Sequence, residues 1–465
     1  MPENENMPDS TTPDATTDTA AQTPEAPQTA TDGATDTASE ATADRSQKAE
    51  AVEDAEKAQA NPPKDKGRKG GESEQPKQPE QKADPTDKPA QPARADKADK
   101  ADKADKPKAP RLTHPEPVHS TPDRSETLRR VDGREMRLAV GNSHFPVEQT
   151  EAWERFEEAM GRPLWGRYLY EDEGKPVAAI ALYRYEMGGQ TFLWAKHGPV
   201  WLKEQSPERE AHLRRLLRSV VKERDRSVRF IRMHARYGAA DLRELLSTIT
   251  YDRTYVIDLT PKTPEKIAAV MPKDGRRAVK RAERVAREAG CTISDETGLS
   301  REEFDQVYEV LRETAERDGF KPHDAEVYWT MLTSLGEKNA RLFVLRKDGV
   351  PHAWDLILTS GKDSVAYYGA SSNESRTFRG AEALDWWAAC TLAQEGYRGL
   401  DLMGAGSTRV PSLYTVGQYK KRYAQHVTEV DGAWDVPVSR VIYSGMSAAK
   451  RLRDALRARR GSRED

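Results

Sequence analysis

Cysteine is nearly absent. The chain has two, Cys291 and Cys390, too few for a disulfide framework. Both suit core positions of a helix or strand, with a catalytic thiol as the minor alternative. No run of about 18 apolar residues occurs, so no membrane-crossing helix is expected. The N-terminus is acidic and polar, unlike a secretory leader, which points to the cytoplasm. The Gly-x-x-x-x-Gly-Lys phosphate loop, Gly-x-Gly-x-x-Gly after a strand, His-Glu-x-x-His and zinc-spaced Cys/His clusters are all missing. These absences argue against nucleotide hydrolysis and metal-dependent chemistry, so no metal site is expected.

Residues 1–135 lack Phe, Trp and Tyr but hold 17 of the 29 prolines. Between Met7 and Leu112 the one branched aliphatic residue is Val52. Such a segment cannot bury enough apolar surface to offset the entropy of ordering, so a disordered low-complexity tail is expected. It is first acidic, then Lys-rich, with a fourfold Ala-Asp-Lys repeat over 95–106. It is either a solvated tail or a tether with weak contacts to membrane or RNA. The remaining roughly 330 residues suit two ordinary domains.

In that part, Trp153, Phe156 and Met160 recur at helical spacing. Stretches 166–170, 176–183 and 191–195 read as strands joined by turns at Glu173-Gly174-Lys175 and Met187-Gly188-Gly189. Ser206 caps a helix with Pro207 at its first position and Leu213, Leu216, Leu217, Val220 and Val221 on its apolar face. A strand at 228–233 follows. The same order returns as strands 341–346, 351–358 and 365–371, a helix around 383–395 and a strand at 400–403. Repetition in fixed order implies an internal duplication of one supersecondary unit.

Between the copies lie a strand at 254–259, a helix opened by Thr263 and Pro264, and a basic stretch over 273–290. Arg276, Lys280, Arg284 and Arg287 share one helical face, beside an apolar stripe of Ala278, Ala282, Val285 and Ala289. Ser300 and Glu303 form a capping box for a helix that ends at Asp318-Gly319. A basic C-terminal helix carries Lys450, Arg451, Arg453 and Arg457.

The repeated unit resembles the GNAT acyltransferase fold, whose splayed sheet holds an acyl donor. Ordinary members of that fold grip the coenzyme A diphosphate with an Arg/Gln-x-x-Gly-x-Gly/Ala turn before the long helix. Here Arg376 stands one residue too far from Gly380, so a different donor is expected. Further short matches run in order over roughly residues 138–440. They are Lys196-His197-Gly198-Pro199-Val200, the strand 255–259 before the basic helix, Arg317-Asp318-Gly319-Phe320, Tyr368-Gly369-Ala370-Ser371, Trp386, Asp401, Tyr419-Lys420 with Tyr423, and Asp435 with Pro437. This ordered set resembles the FemABX family of aminoacyl-tRNA-dependent peptidyltransferases.

The resemblance implies an α/β (α+β) fold of two GNAT-like domains, with mixed sheets flanked by helices. The first would span 136–254, completed by 432–465, and the second 255–431. It implies transfer of an amino acid from aminoacyl-tRNA to the side-chain amine of a peptidoglycan stem peptide, building the interpeptide bridge. The precursor would be UDP-MurNAc-pentapeptide or lipid II. No cofactor is needed, because the aminoacyl ester is already activated. The site would be cytoplasmic, with peripheral contact at the inner membrane face left open.

By the same resemblance Lys420, with Tyr419 before it, sits by the reaction centre and the precursor phosphates. Tyr368 and Arg155 contact the precursor. His323 and Tyr328 stand at or beside two further precursor-facing positions, where the family often has Arg and Tyr. The Arg276/Lys280/Arg284/Arg287 face would meet the tRNA acceptor arm or anionic lipid. Each has a plainer alternative: a surface lysine, a buried sheet tyrosine, a solvated helix arginine, a histidine at a helix start, a salt-laced helix face. Asp401 is a catalytic carboxylate or, in preference, serves the turn after its strand. An acyl-CoA-dependent N-acyltransferase and a non-catalytic RNA-binding module remain the rival classes.

Overall fold

A computed structural model describes residues 119–120, 125–141, 143–246 and 250–461. The expected tail up to residue 118 lies outside the described residues. Its last part does not. Strands β1 (His119–Ser120) and β2 (Glu126–Val131) pair with each other, and β2 pairs antiparallel with β3 (Leu164–Asp172). The expected boundary at 135 is therefore too late. Leu128 and Val131 point into the core from β2, and Glu126 pairs with the buried His212. The two apolar residues fall on opposite faces of the strand and enter different core clusters.

Helix α1 (Gly133–Val140) and helix α2 (Glu151–Ala159) come next. The meander continues through β3, β4 (Lys175–Met187) and β5 (Gln190–Trp194), with β6 (Val200–Trp201) against β4. Helix α3 (Pro207–Arg224) starts at Ser206, whose side chain accepts from the Arg209 N–H. It returns the chain to β7 (Val228–Ala235), parallel to β5.

The second sheet repeats this order. Strand β8 (Arg253–Asp258), helices α4 (Pro264–Val270) and α5 (Lys273–Glu288), strand β9 (Cys291–Asp295), and helices α6 (Arg301–Asp318) and α7 (Ala325–Leu335) lead into it. Strands β10 (Ala340–Lys347), β11 (Val350–Ser360) and β12 (Asp363–Ser371) form the meander. Helix α8 (Gly380–Gln394) crosses over to β13 (Gly399–Gly404), parallel to β12. Helix α9 (Tyr414–Lys420) and strand β14 (Thr428–Glu429) follow, then β15 (Gly432–Pro437) and helix α10 (Arg440–Gly461).

The sheet orders are β1-β2-β3-β4-β5-β7-β15 and β14-β8-β13-β12-β11-β10-β9. Strand β15 returns to the first sheet and pairs antiparallel with β7, so C-terminal residues complete it. In both sheets the third meander strand, β5 or β12, and the strand after the crossover helix, β7 or β13, are parallel and adjacent. In the second, β12 and β13 pair only from Asp363–Gly399 to Val365–Asp401 and then lose their register. A continuous core joins the two sheets: Trp153 and Phe156 of α2 share a cluster with Tyr328, Met331, Leu332 and Leu335 of α7.

Helix α5 buries Gly275, Val279, Ala282 and Ala286, with Ala278, Val285 and Ala289 only partly covered. The stripe is rotated from the expected one because Val279, Ala282 and Ala286 face the core that helix α8 shares. A Cβ on Gly275 would fall 1.8 Å from the Arg422 carbonyl oxygen, so only glycine permits the approach.

Candidate active site

Where β12 and β13 part, Lys420 holds the end of β13. Its side chain is buried, and its Nζ donates to the carbonyl oxygens of Met403 at 3.2 Å and Gly404 at 2.7 Å. Met403 takes a positive φ of 61°, which turns the chain out of the strand. Asp401 secures the same turn: its carboxylate accepts from the Met403 N–H at 2.6 Å and from the Thr254 hydroxyl. The preferred structural role for Asp401 therefore has its hydrogen bonds. Tyr419 turns away from the turn, donating to Asp385 at 2.7 Å and meeting the Tyr423 hydroxyl at 2.9 Å.

Tyr368, Tyr328 and His323 do come together. The Tyr328 ring meets Tyr368 at 4.8 Å, His323 at 6.1 Å and Trp354 at 6.2 Å. All three are buried, and Tyr328 and Tyr368 are only 1% exposed. They form a buried aromatic cluster with Trp354 and present no exposed face to a ligand. Arg155 stands apart from them. It is exposed on α2 and donates to the Ser334 carbonyl at 3.1 Å, tying α2 to α7. Of the basic face, Arg276 reaches the Ala269 carbonyl, Arg284 pairs with Glu288 at 2.7 Å, and Lys280 and Arg287 are exposed. Exposed Lys273, Arg277 and Arg281 widen that face. The cysteines are quiet: burial pushes the Cys390 thiol up to about 12, and burial also raises Cys291.

On the other side of β13, at the junction of the two sheets, lies a cavity of about 200 Å³ that sequence reading missed. Its lining includes His144, Glu148, His197, Tyr251, Asp363 and Asp401. Tyr251 packs on Gly404, the residue whose carbonyl Lys420 holds. Cavity and lysine thus share one strand end. At the mouth, His144 Nδ1 meets Asp363 at 2.7 Å, and Asp363 also accepts from Arg398 at 3.1 Å. The hydrogen bond to Asp363 holds the His144 ring above its usual range.

Deeper in, Glu148 is buried and 3.6 Å from His197. Burial raises its carboxyl, against the opposing pull of its backbone hydrogen bond, Lys196, His234 and the Tyr367 hydroxyl. His197 stacks on His234 at 4.8 Å. Lys196 Nζ lies over the rings of Trp153 and Trp194 at 5.1 and 5.0 Å. Gln149 fixes this wall through the Lys196 carbonyl and the Ala181 N–H, both at 2.7 Å. A Cβ on Gly198 would sit 2.7 Å from the Gln149 amide. The 196–200 turn was legible as a motif, but its partners come from distant segments.

Burial lowers both His197 and His234 to about 4, so both rings are neutral at pH 7. The unfolded rings titrate near 6.5, above the folded value. Their contribution is therefore complete above pH 6.5 and is lost as pH falls towards 4. Glu148, raised by burial, acts in the opposite sense near the acid end. Thermal unfolding across this window is expected to show a net loss on the order of 1–3 kcal/mol per ring. His197→Asn with His234→Asn should flatten the dependence.

An acetyltransferase (GNAT) domain matches residues 273–421. No protein of curated function matches the sequence. Among solved structures, FemX superposes with a TM-score of 0.55 at 15% identity, covering 69% of this chain and 99% of FemX. L-PGS from Bacillus licheniformis gives 0.43 at 14% identity, over 70% of this chain and 97% of that one. Residues 273–421 therefore carry the acetyltransferase (GNAT) fold, within a chain of two mixed α/β sheets flanked by helices in the same element order, with the candidate site where the strands of the second part.

Proposed function

We propose that the protein transfers an amino acid from aminoacyl-tRNA to the side-chain amine of a peptidoglycan stem peptide, carried by UDP-MurNAc-pentapeptide or lipid II. The observation that carries this reading is buried Lys420, fixed on the Met403 and Gly404 carbonyls at the parting of β12 and β13. The fold likeness to FemX supports it. The acceptor amine attacks the aminoacyl ester carbonyl, forming a C–N bond. The tetrahedral oxyanion then collapses, the ester C–O bond breaks, and the tRNA hydroxyl leaves with the proton the amine gives up. Lys420 supplies fixed positive charge where that oxyanion or a precursor phosphate develops. The aminoacyl ester is the energy source, so no cofactor is required. On this reading the first domain takes in β1 to β7 and is completed by β15, the second takes in β8 to β14, and the work is done in the cytoplasm.

The N-terminus of α8 supports a donor other than coenzyme A. Helix N-termini attract phosphate through unpaired N–H groups and the helix dipole. Here buried Glu382 already occupies the first turn, paired with Arg379 at 2.5 Å and Arg422 at 3.6 Å. Burial holds the Glu382 carboxyl above its usual range. Arg379 itself takes a left-handed φ of 54°. A diphosphate approaching those N–H groups would meet a carboxyl and its clamps. Acetyl-CoA is accordingly expected to give no saturable binding by calorimetry.

The cellular test is mass spectrometry of stem peptides with and without the gene. Loss of a one-residue or longer extension supports the proposal and names the amino acid. Unchanged stem peptides together with saturable acetyl-CoA binding would replace it with an acyl-CoA-dependent transferase.

A further inference from the structure

We propose that helix α10 docks the protein on an anionic lipid bilayer. Val441, Leu452 and Leu456 are exposed at 85%, 64% and 50%. Eleven residues separate the first two, about three turns, and four separate the second two, about one turn. The three side chains therefore follow one stripe along the helix. Within the described residues this stripe faces solvent, while Tyr443 anchors the other face in the core.

Cations flank the stripe. Arg451 and Arg453 are exposed on either side of Leu452. At the base of the helix, Arg215, Arg218, Lys222 and Arg440 line a groove of about 550 Å³. The acid that reaches it is Asp241, 3.6 Å from Arg218 and shared with Arg214. Burial lowers Arg218, and Arg440, Arg214 and Arg215 add to that against Asp241. Four cations thus crowd the described lining of the groove.

The combination selects the partner. An RNA backbone would take the cations but gains nothing from an exposed leucine stripe. A basic helix with an apolar stripe lies in the plane of a membrane interface, leucines in the acyl boundary and guanidiniums among lipid phosphates. No helix among the described residues is long and apolar enough to cross a membrane, so the contact is peripheral. This inference does not depend on the transfer reaction.

The test is co-sedimentation of the full chain with vesicles of phosphatidylcholine, alone or doped with phosphatidylglycerol. Binding is expected only to the doped vesicles. Leu452→Gln with Leu456→Gln should weaken it about tenfold without lowering the melting temperature, because both side chains are exposed. Arg451→Gln with Arg453→Gln should weaken it about tenfold as well. Equal binding to neutral vesicles, no binding to either, or indifference to the leucine pair would overturn the proposal. So would binding of duplex RNA that competes with the vesicles and ignores the leucines.

Discussion

Lys420→Met is expected to slow aminoacyl transfer by about 10²–10³-fold, the usual loss when a charge or donor aimed at a developing oxyanion is removed. It should also lower stability by about 1–3 kcal/mol, because the Met403 and Gly404 carbonyls lose their donor in a buried place. The two effects separate in Lys420→Gln. An amide can still donate to those carbonyls, so most of the stability should return, but the positive charge does not. Single-turnover transfer with the Gln variant is the decisive comparison. A slow, well-folded Gln variant assigns the lysine to the reaction. A fully active one reduces Lys420 to a strut for the β13 turn.

The largest effect on stability is expected at the seam where β15 joins the first sheet. Arg232 and Asp435 are both fully buried and face each other across β7 and β15. Their two hydrogen bonds are 2.7 and 3.2 Å, and the Tyr443 hydroxyl gives Asp435 another at 3.0 Å. The guanidinium also lies over Phe192, Trp194 and Phe230 at 5.1–5.6 Å. Asp435→Ala takes the facing carboxylate from Arg232 in a place water does not reach. A loss of about 3–5 kcal/mol in denaturant unfolding is expected. Arg232→Met with Asp435→Leu should recover much of it, since removing both charges removes the desolvation penalty as well. A double variant no more stable than the single would mean that the stranded charge is not the source of the loss.

The duplicated meander, helix and strand were legible because each signal is local. Gly174 and Gly349 take the positive φ their hairpins need, and Ser206 and the Ser300–Glu303 box start their helices. Lys420 was legible through its neighbours Tyr419 and Tyr423, although nothing local says it is buried. Strand β2 was missed because it lies in a segment judged by composition, where Leu128 and Val131 are the apolar signal. The cavity was missed for a different reason. Its walls come from residues 144–148, 197, 251, 256, 358–360, 363–365, 399 and 401, and no periodicity links segments so far apart. Tyr368, Tyr328 and His323 lie together while Arg155 does not, and the burial of the tyrosines against Trp354 and each other has no local sequence signal.

The central claim is that the acyl group comes from tRNA. Purified full-length protein should be mixed with tRNA carrying a radiolabelled amino acid and with the purified stem-peptide precursor, and label in the precursor followed over time. Label is expected to move to the stem-peptide amine, and RNase treatment of the charged tRNA before mixing should abolish it. Transfer that survives RNase, or that appears only when an acyl-CoA is supplied, would contradict the claim.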